Sequence, residues 1–406
     1  MTKQATGPLS GVRIVDLTSV IFGPYATQML GDLGADVIKV EPPEGDIIRA
    51  ASASRSPGMG AIYLTVNRNK RSTVLDLKKP EARAALLKLC QTADVFVHSL
   101  RPQAIAKLGL SYDDVAEVNS GIIYCSAWGF RSDGPYAERP AYDDVIQGMS
   151  GIADLAIKRG AAAPEFAPMV IADKVSGLHA VAAITAALFH RQRTGEGQYV
   201  EVPMFESVAS FTLAEHMAGA VFDPPLDEMG YSRALVEHRR PHRTKDGYMV
   251  VLPYNNRQWR GFFKAAGRHD MLDDPRTNDA QLRAKQNAEM YAMISEIMAT
   301  KTTAEWEVVL AEADVPSERV NRLEDLENDE HFAATGFFQS YDHPSEGRLK
   351  TPSAPLQFSK SPAETLRLHP PALGEQTKEI LAEAGFDEDE IDALLAARAA
   401  VAAGQS

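Results

Sequence analysis

From residue 11 the chain keeps alternating β-rich and helix-compatible stretches, and that alternation limits the available folds more than any other feature. GVRIVDLT is extended and apolar, GPYATQMLGDLG is helix-like, and ADVIKVE is again extended. The pattern repeats with STVLDL, KPEARAALLKLCQTA and DVFVHS, then a short helix and GIIYCSAWGF. Apolar strands joined by helices of this length describe βαβ crossovers, which place strands side by side and in parallel. The expected class is therefore α/β, with a Rossmann-like, doubly wound parallel sheet in a large domain.

Ligands of such sheets sit beyond the carboxyl ends of the strands, here the loops 19–23, 41–49, 98–101 and 126–130, so these loops should converge. The first carries SVIFGP rather than G-x-G-x-x-G, which argues against a nicotinamide or flavin enzyme. A Pro- and acid-containing connector follows at 223–231. Beyond it GYMVVLP, NRQWRGFFKAAG, the stretch 288–299 and TTAEWEVVLAEA suggest a smaller α+β domain. In the tail APLQF reads as a strand, and two short amphipathic helices split at Gly385 need a partner surface. Three segments result: 1–225 as the large domain, 226–330 as the small one, and 331–406 returning to complete the large one.

The 406 residues suit two or three domains, and 45% hydrophobic with 24% charged residues is ordinary for a globular chain. No apolar run is expected to reach the ~18 residues of a membrane span. The N-terminus lacks an apolar signal core, and Cys90 and Cys125 are too few for a disulfide framework, so a cytoplasmic protein without membrane contact is expected. A net charge of −13 argues against nucleic acid as partner. A small anion could still use the basic run Asn67, Arg68, Asn69, Lys70, Arg71, followed by Lys78; the other reading of that run is a solvated turn.

Asp173 stands at the head of a long Ala-rich helix over 174–193, in which Val175, Leu178, Val181, Ile184, Leu188 and Phe189 leave most of the circumference apolar and imply burial. As an N-cap it would have its pKa lowered by the free N–H groups and the positive helix end. A carboxylate nucleophile also has to be ionised, held still and partly stripped of water, so both roles stay open. Gly177 either lets a ligand approach the helix start or permits helix packing. In RPAYDDVIQGMSG, Asp143 or Asp144 reads as a helix cap and Tyr142 as a possible pocket wall. No histidine or cysteine spacing suits a metal site, and the G-x-S-x-G and P-loop signatures are absent.

Taken together, LSGVRIVDLTSVIFGPYATQMLGDLGADVIKVEPPEGDIIR, NRNKRSTVLDLKKPEA, YCSAWGFRSDGPYAERPAYDDVIQGMSG and ADKVSGLHAVAAITAALFHRQRTGEGQYVEVPMFES resemble, in order, the blocks of class III (CaiB/BaiF-type) coenzyme A-transferases. The resemblance implies that Asp173 attacks an acyl-CoA thioester, so that CoA moves to a free carboxylic acid through aspartyl anhydride and aspartyl-CoA intermediates. It implies acyl-CoA and a carboxylic acid as substrates, with no permanently bound cofactor and no metal. CoA contacts would fall on Ile21 and Phe22, on Leu75, Asp76, Leu77 and Lys78, on Ser99, Leu100 and Arg101, and on Lys107, Tyr142 and Asp143. Lys78, Arg101 and Lys107 would answer the phosphates. It further implies a homodimer of interlocked rings.

The chain also departs from the family pattern. YSRALVEHRRP stands where relatives acting on a small acid have a glycine-rich lid, and its Arg233, His238, Arg239 and Arg240 offer cations to an acceptor carboxylate. Ser99 replaces a common Asn, and Pro42 stands where some members have a CoA-binding Arg. The racemase branch of the superfamily, which epimerises 2-methylacyl-CoA with a His and an Asp, is the competing activity. Tyr142 occupies the region of that histidine, and Tyr is a poor base at neutral pH. A silent acyl-CoA-binding protein is the third reading.

Overall fold

The structure, a computed structural model, describes residues 5–404. Its central sheet uses β1 (Arg13–Leu17), β2 (Asp36–Glu41), β3 (Lys70–Leu75), β4 (Val95–His98), β5 (Ile123–Trp128) and β6 (Gln198–Pro203). They lie in the order β3-β2-β1-β4-β5-β6, all parallel, and the two-residue strand Ala400–Val401 closes the β3 edge in antiparallel register. Strand alternation divides the apolar side chains between two cores. Val15, Ile38, Phe96 and Tyr124 face one, with helix α2 (Pro80–Cys90); Ile14, Val37, Val97 and Cys125 face the other, with α1 (Phe22–Asp32). Helices on both faces bury the inner strands, every residue of β3 among them, while the edge strand β6 stays partly exposed.

Three further helices position the site. They are α3 (Pro102–Lys107), α4 (Asp143–Met149) and α5 (Ile171–Thr194). The chain divides into two units: one takes residues up to Ile152, Phe166–Thr212 and the tail from Gly336; the other takes Ala153–Glu165 and Leu213–Thr335. The changes of unit at 213 and 336 differ from the expected 226 and 331, and the short excursion Ala153–Glu165 carried no sequence signal. The smaller unit pairs His242–Arg243, Tyr248–Val251 and Ser317–Arg319 in an antiparallel sheet and packs Trp259, Phe262, Phe263, Ile294 and Trp306 into its own core.

Several local expectations are corrected. APLQF is not a strand: Pro355 has no N–H for a ladder, and pairing occurs earlier, between Phe338–His343 and Gly347–Pro352. The basic run is neither a solvated turn nor an anion site, because it is buried against acids from remote segments. Arg68 pairs with Asp32 at 2.7 Å, Lys70 with Asp16 at 3.3 Å, and Arg71 with Asp36 at 2.7 Å and Glu383 at 2.8 Å. A segment long and apolar enough to cross a membrane does exist: helix α5, by length and composition alone. It packs along α1 and β6 through one face only, since Leu178 is 54% and Phe189 60% exposed, so burial all round is also corrected.

Candidate active site

The strand order reverses between β1 and β4, and at that switch point the loops after the two strands part to leave a crevice. Two cavities of the larger unit share Ser19 there. One, of about 150 Å³, is lined by Phe22, Ser99, Arg101, Trp128, Tyr142 and Asp173 among others. The other, of about 450 Å³, lies between the loop 42–47, the run Leu75, Asp76, Leu77, Lys78, and Leu100. All four loops therefore converge, with 127–129 reaching only the first cavity and 41–47 only the second.

The shared loop is fixed from below by buried charge. Lys39, fully buried on β2, donates to the Thr18 carbonyl at 2.9 Å and to Asp46 at 2.8 Å. Asp46 accepts in turn from the N–H of Val20 at 3.1 Å. Val20 has φ 68°, a left-handed conformation that a β-branched residue adopts only under constraint. Asp16 completes the frame by accepting from the Thr18 N–H at 2.8 Å and the Thr27 hydroxyl at 2.6 Å. The backbone that divides the two cavities is thus held by ion pairs rather than by packing alone.

Asp173 lies in the third position of α5, whose N-cap is Val170, so it does not cap the helix. The cap comes from a different helix. Asp143, first residue of α4 and 7% exposed, accepts the N–H groups of Ala172 at 2.7 Å and Asp173 at 3.1 Å on one carboxylate oxygen. Its other oxygen accepts from the Gln147 amide at 2.6 Å, one helical turn on. Gln147 also ties down 167–169 by accepting from the Ala167 N–H at 2.9 Å and donating to the Met169 carbonyl at 3.2 Å.

The first-turn donors that would have lowered the pKa of Asp173 are therefore occupied. Its carboxylate has no hydrogen-bond or ion-pair partner among the described residues and opens on the smaller cavity while 8% exposed. Burial first, and then the negative charge of Asp143, push it up to about 7, the reverse of the lowering expected from a cap. A buried carboxylate with no partner is costly, and such groups concentrate at reactive sites. Gly177 resolves in favour of packing: an added Cβ would sit 3.0 Å from a Tyr25 ring atom and 3.2 Å from the Phe22 carbonyl of α1.

The other expected site residues fall into distinct places. Phe22, Ser99, Arg101 and the 66%-exposed Tyr142 share the Asp173 cavity, whereas Leu75, Asp76, Leu77, Lys78 and Leu100 line the larger one. Ile21 packs against Ile48, Met59 and Tyr63. Lys107, exposed in the last turn of α3, lines neither cavity. Asp143 was expected beside CoA; instead the helix start and Gln147 engage both its oxygens. Sequence reasoning missed Gln147, although its spacing from Asp143 is that of one helix face. It also missed Met204, which walls the Asp173 cavity, and the Lys39–Asp46 pair, whereas Trp128 falls in the expected loop 126–130.

Comparison with known proteins agrees with this geometry. The model of CoA-transferase family III matches residues 9–377. The succinyl-CoA:glutarate CoA-transferase of Mus musculus is 32% identical over 393 residues, spanning 96% of this chain and 89% of the relative. The succinate–glutarate CoA-transferase of Agrobacterium fabrum is 33% identical over 388 residues, spanning 93% and 95%. The crystal structure of a CaiB/BaiF family protein from Brucella suis superposes with a TM-score of 0.78 at 31% identity, covering 93% of this chain and 100% of that one. A parallel sheet whose switch-point loops enclose a partnerless aspartate, together with these matches over nearly the whole chain, shows that the protein is a transferase belonging to CoA-transferase family III.

Proposed function

We propose that the protein moves CoA from an acyl-CoA donor to a free carboxylic acid with Asp173 as covalent carrier. The observation that supports this reading best is the buried, partnerless Asp173 carboxylate facing the switch-point cavity. Ionised, it attacks the thioester carbonyl; the C–S bond breaks, CoA leaves as thiolate, and a mixed anhydride forms on Asp173. The thiolate then attacks the aspartyl carbonyl, releasing the donor acid and leaving an aspartyl-CoA thioester. The acceptor carboxylate attacks this thioester to give a second anhydride and thiolate again. Attack of the thiolate on the acceptor's acyl carbon forms the new acyl-CoA and returns Asp173 as carboxylate. Each step exchanges one activated carboxyl derivative for another and consumes no water.

The surroundings fit these demands. Desolvation leaves the Asp173 anion poorly solvated and reactive, and a pKa of about 7 leaves a substantial ionised fraction at neutral pH. The larger cavity, with its apolar leucines and Lys78 at the rim, suits the nucleotide end of CoA, and Arg101 gives the Asp173 cavity a cation for an anionic group. Succinyl-CoA and glutarate head the substrate panel because two relatives carry those names. The partly exposed apolar face of α5, with Leu178 and Phe189, supports assembly with a second copy, and the family resemblance suggests interlocked rings for it. The test is CoA exchange between succinyl-CoA and a panel of acids by wild type and Asp173→Asn. Transfer by the wild type alone supports the proposal. Equal transfer by both, or α-proton exchange of 2-methylacyl-CoA in deuterated water without transfer, sinks it, the latter in favour of the racemase reading.

A further inference from the structure

The smaller unit holds a cavity of about 230 Å³ built from its own residues alone. Arg233 and Arg283 line it together with Asn287 and the aromatic residues Tyr254, Trp259 and Tyr291. Arg283 is 5% exposed and clamped: it donates to the carbonyls of Arg276 at 2.8 Å and Thr277 at 3.1 Å and to the Asn256 side chain at 2.9 Å. Arg233 donates from Nε to the Tyr291 hydroxyl at 3.3 Å, and its guanidinium lies 4.8 Å from the centre of the Tyr254 ring.

All of these partners are neutral. Among the described residues no carboxylate comes within the 4.0 Å ion-pair distance of either guanidinium, although Arg276 nearby is paired with both Asp274 and Glu289. In a chain with 55 acidic residues, two cations sharing a cavity without an acid form an unusual cluster. Burial holds the Arg283 guanidinium below its ordinary value; the charge of Asp279 opposes this, and Arg233 adds a smaller push downward. Arg283 is buried and Arg233 partly exposed, and two cations side by side with no directly paired acid gain when an anion joins them.

We infer that this cavity binds a small organic acid, its carboxylate held between Arg233, Arg283 and the Asn287 amide and its stem laid against Tyr254 and Trp259. Guanidiniums match carboxylates and phosphates equally well, and the aromatic wall decides for a ligand with an apolar stem over a bare phosphate. The inference concerns the smaller unit alone and does not rest on the role of Asp173.

Isothermal titration of the full-length chain with glutarate, benzoate and inorganic phosphate tests it. At least one of the two acids should bind saturably, weaken at least ~10-fold in Arg233→Met and recover partly in Arg233→Lys. Tyr254, 67% exposed, contributes little to the fold, so Tyr254→Ala serves as a second variant and should weaken benzoate more than glutarate. Absence of saturable acid binding up to ~10 mM, affinity unchanged by both Arg233→Met and Tyr254→Ala, or phosphate bound more tightly than either acid would each overturn the assignment.

Discussion

Asp16 and Asp173 are both buried carboxylates of the larger unit, and their surroundings treat them in opposite ways. Asp16, fully buried, accepts from Thr18 and Thr27 and meets Lys70 at 3.3 Å. Burial alone would raise its pKa, but Lys70 and Lys39 bring it below the usual carboxylate value. Asp173 has no such partner; burial and Asp143 raise it to about 7. The first region uses charge to fix the backbone around a strained loop. The second keeps one charge unsatisfied so that substrate can engage it. What separates a structural acid from a reactive one here is the supply of donors, since depth of burial is nearly the same.

That contrast can be tested in several ways. Asp173→Asn should lower CoA transfer by about 10⁴-fold or more in steady-state assays, as removal of a covalent carrier does. The same substitution should stabilise the fold. The folded-state pKa of Asp173 lies above the ordinary 3.8, so the folded form holds a proton that the unfolded form has released. Its stability is fully present at low pH and is lost as pH rises through about 7, a penalty of at most about 4 kcal/mol at pH 8. Urea unfolding should therefore show Asp173→Asn gaining more over wild type at pH 8 than at pH 5.

Lys70→Met should do the reverse, leaving Asp16 buried without its cation. A loss of about 3–5 kcal/mol in urea unfolding is expected, partly recovered in the double variant Asp16→Asn/Lys70→Met. No recovery would mean that the pair acts separately on the fold. Asp143→Asn probes the border between the two kinds of acid. An asparagine oxygen can still accept the N–H groups of Ala172 and Asp173, but the negative charge is gone and so is the acceptor for the Gln147 amide. The rise of kcat/KM for acyl-CoA, centred near pH 7 in the wild type, should move to lower pH; an unmoved or raised midpoint would remove Asp143 from the account. Gly177→Ala should have the smallest effect. Close contact with Tyr25 and Phe22 opposes a helix-propensity gain of about 1 kcal/mol, and the thermal midpoint should shift by only a few degrees in either direction.

The sheet was legible because its strands are short apolar runs set between helices: β1, β2, β4 and β5 lie where that pattern put them, and β3 begins two residues earlier, inside the basic run. Asp173 was legible as a residue of interest, but its local surroundings were not. The sequence places it where a helix start would satisfy it. The acid that takes those donors, Asp143, lies 30 residues earlier on another helix, a contact that no local periodicity encodes. The basic run 67–71 misled for the same reason: a cluster of like charges reads as solvated until Asp16, Asp32, Asp36 and Glu383 arrive from distant segments. Helix α5 hid its exposed face because Leu178 and Phe189 score as apolar whether they meet protein or solvent. The unpaired Arg233 and Arg283 are a property of the fold alone, since what matters is the acid that is missing beside them.

The central claim is that Asp173 carries the acyl group and then CoA, and peptide mass spectrometry after incubation with succinyl-CoA and hydroxylamine tests it most directly. The account predicts a hydroxamate on the peptide containing Asp173, formed only with the acyl-CoA donor and absent from Asp173→Asn. Active CoA transfer with an unmodified Asp173 peptide would contradict it.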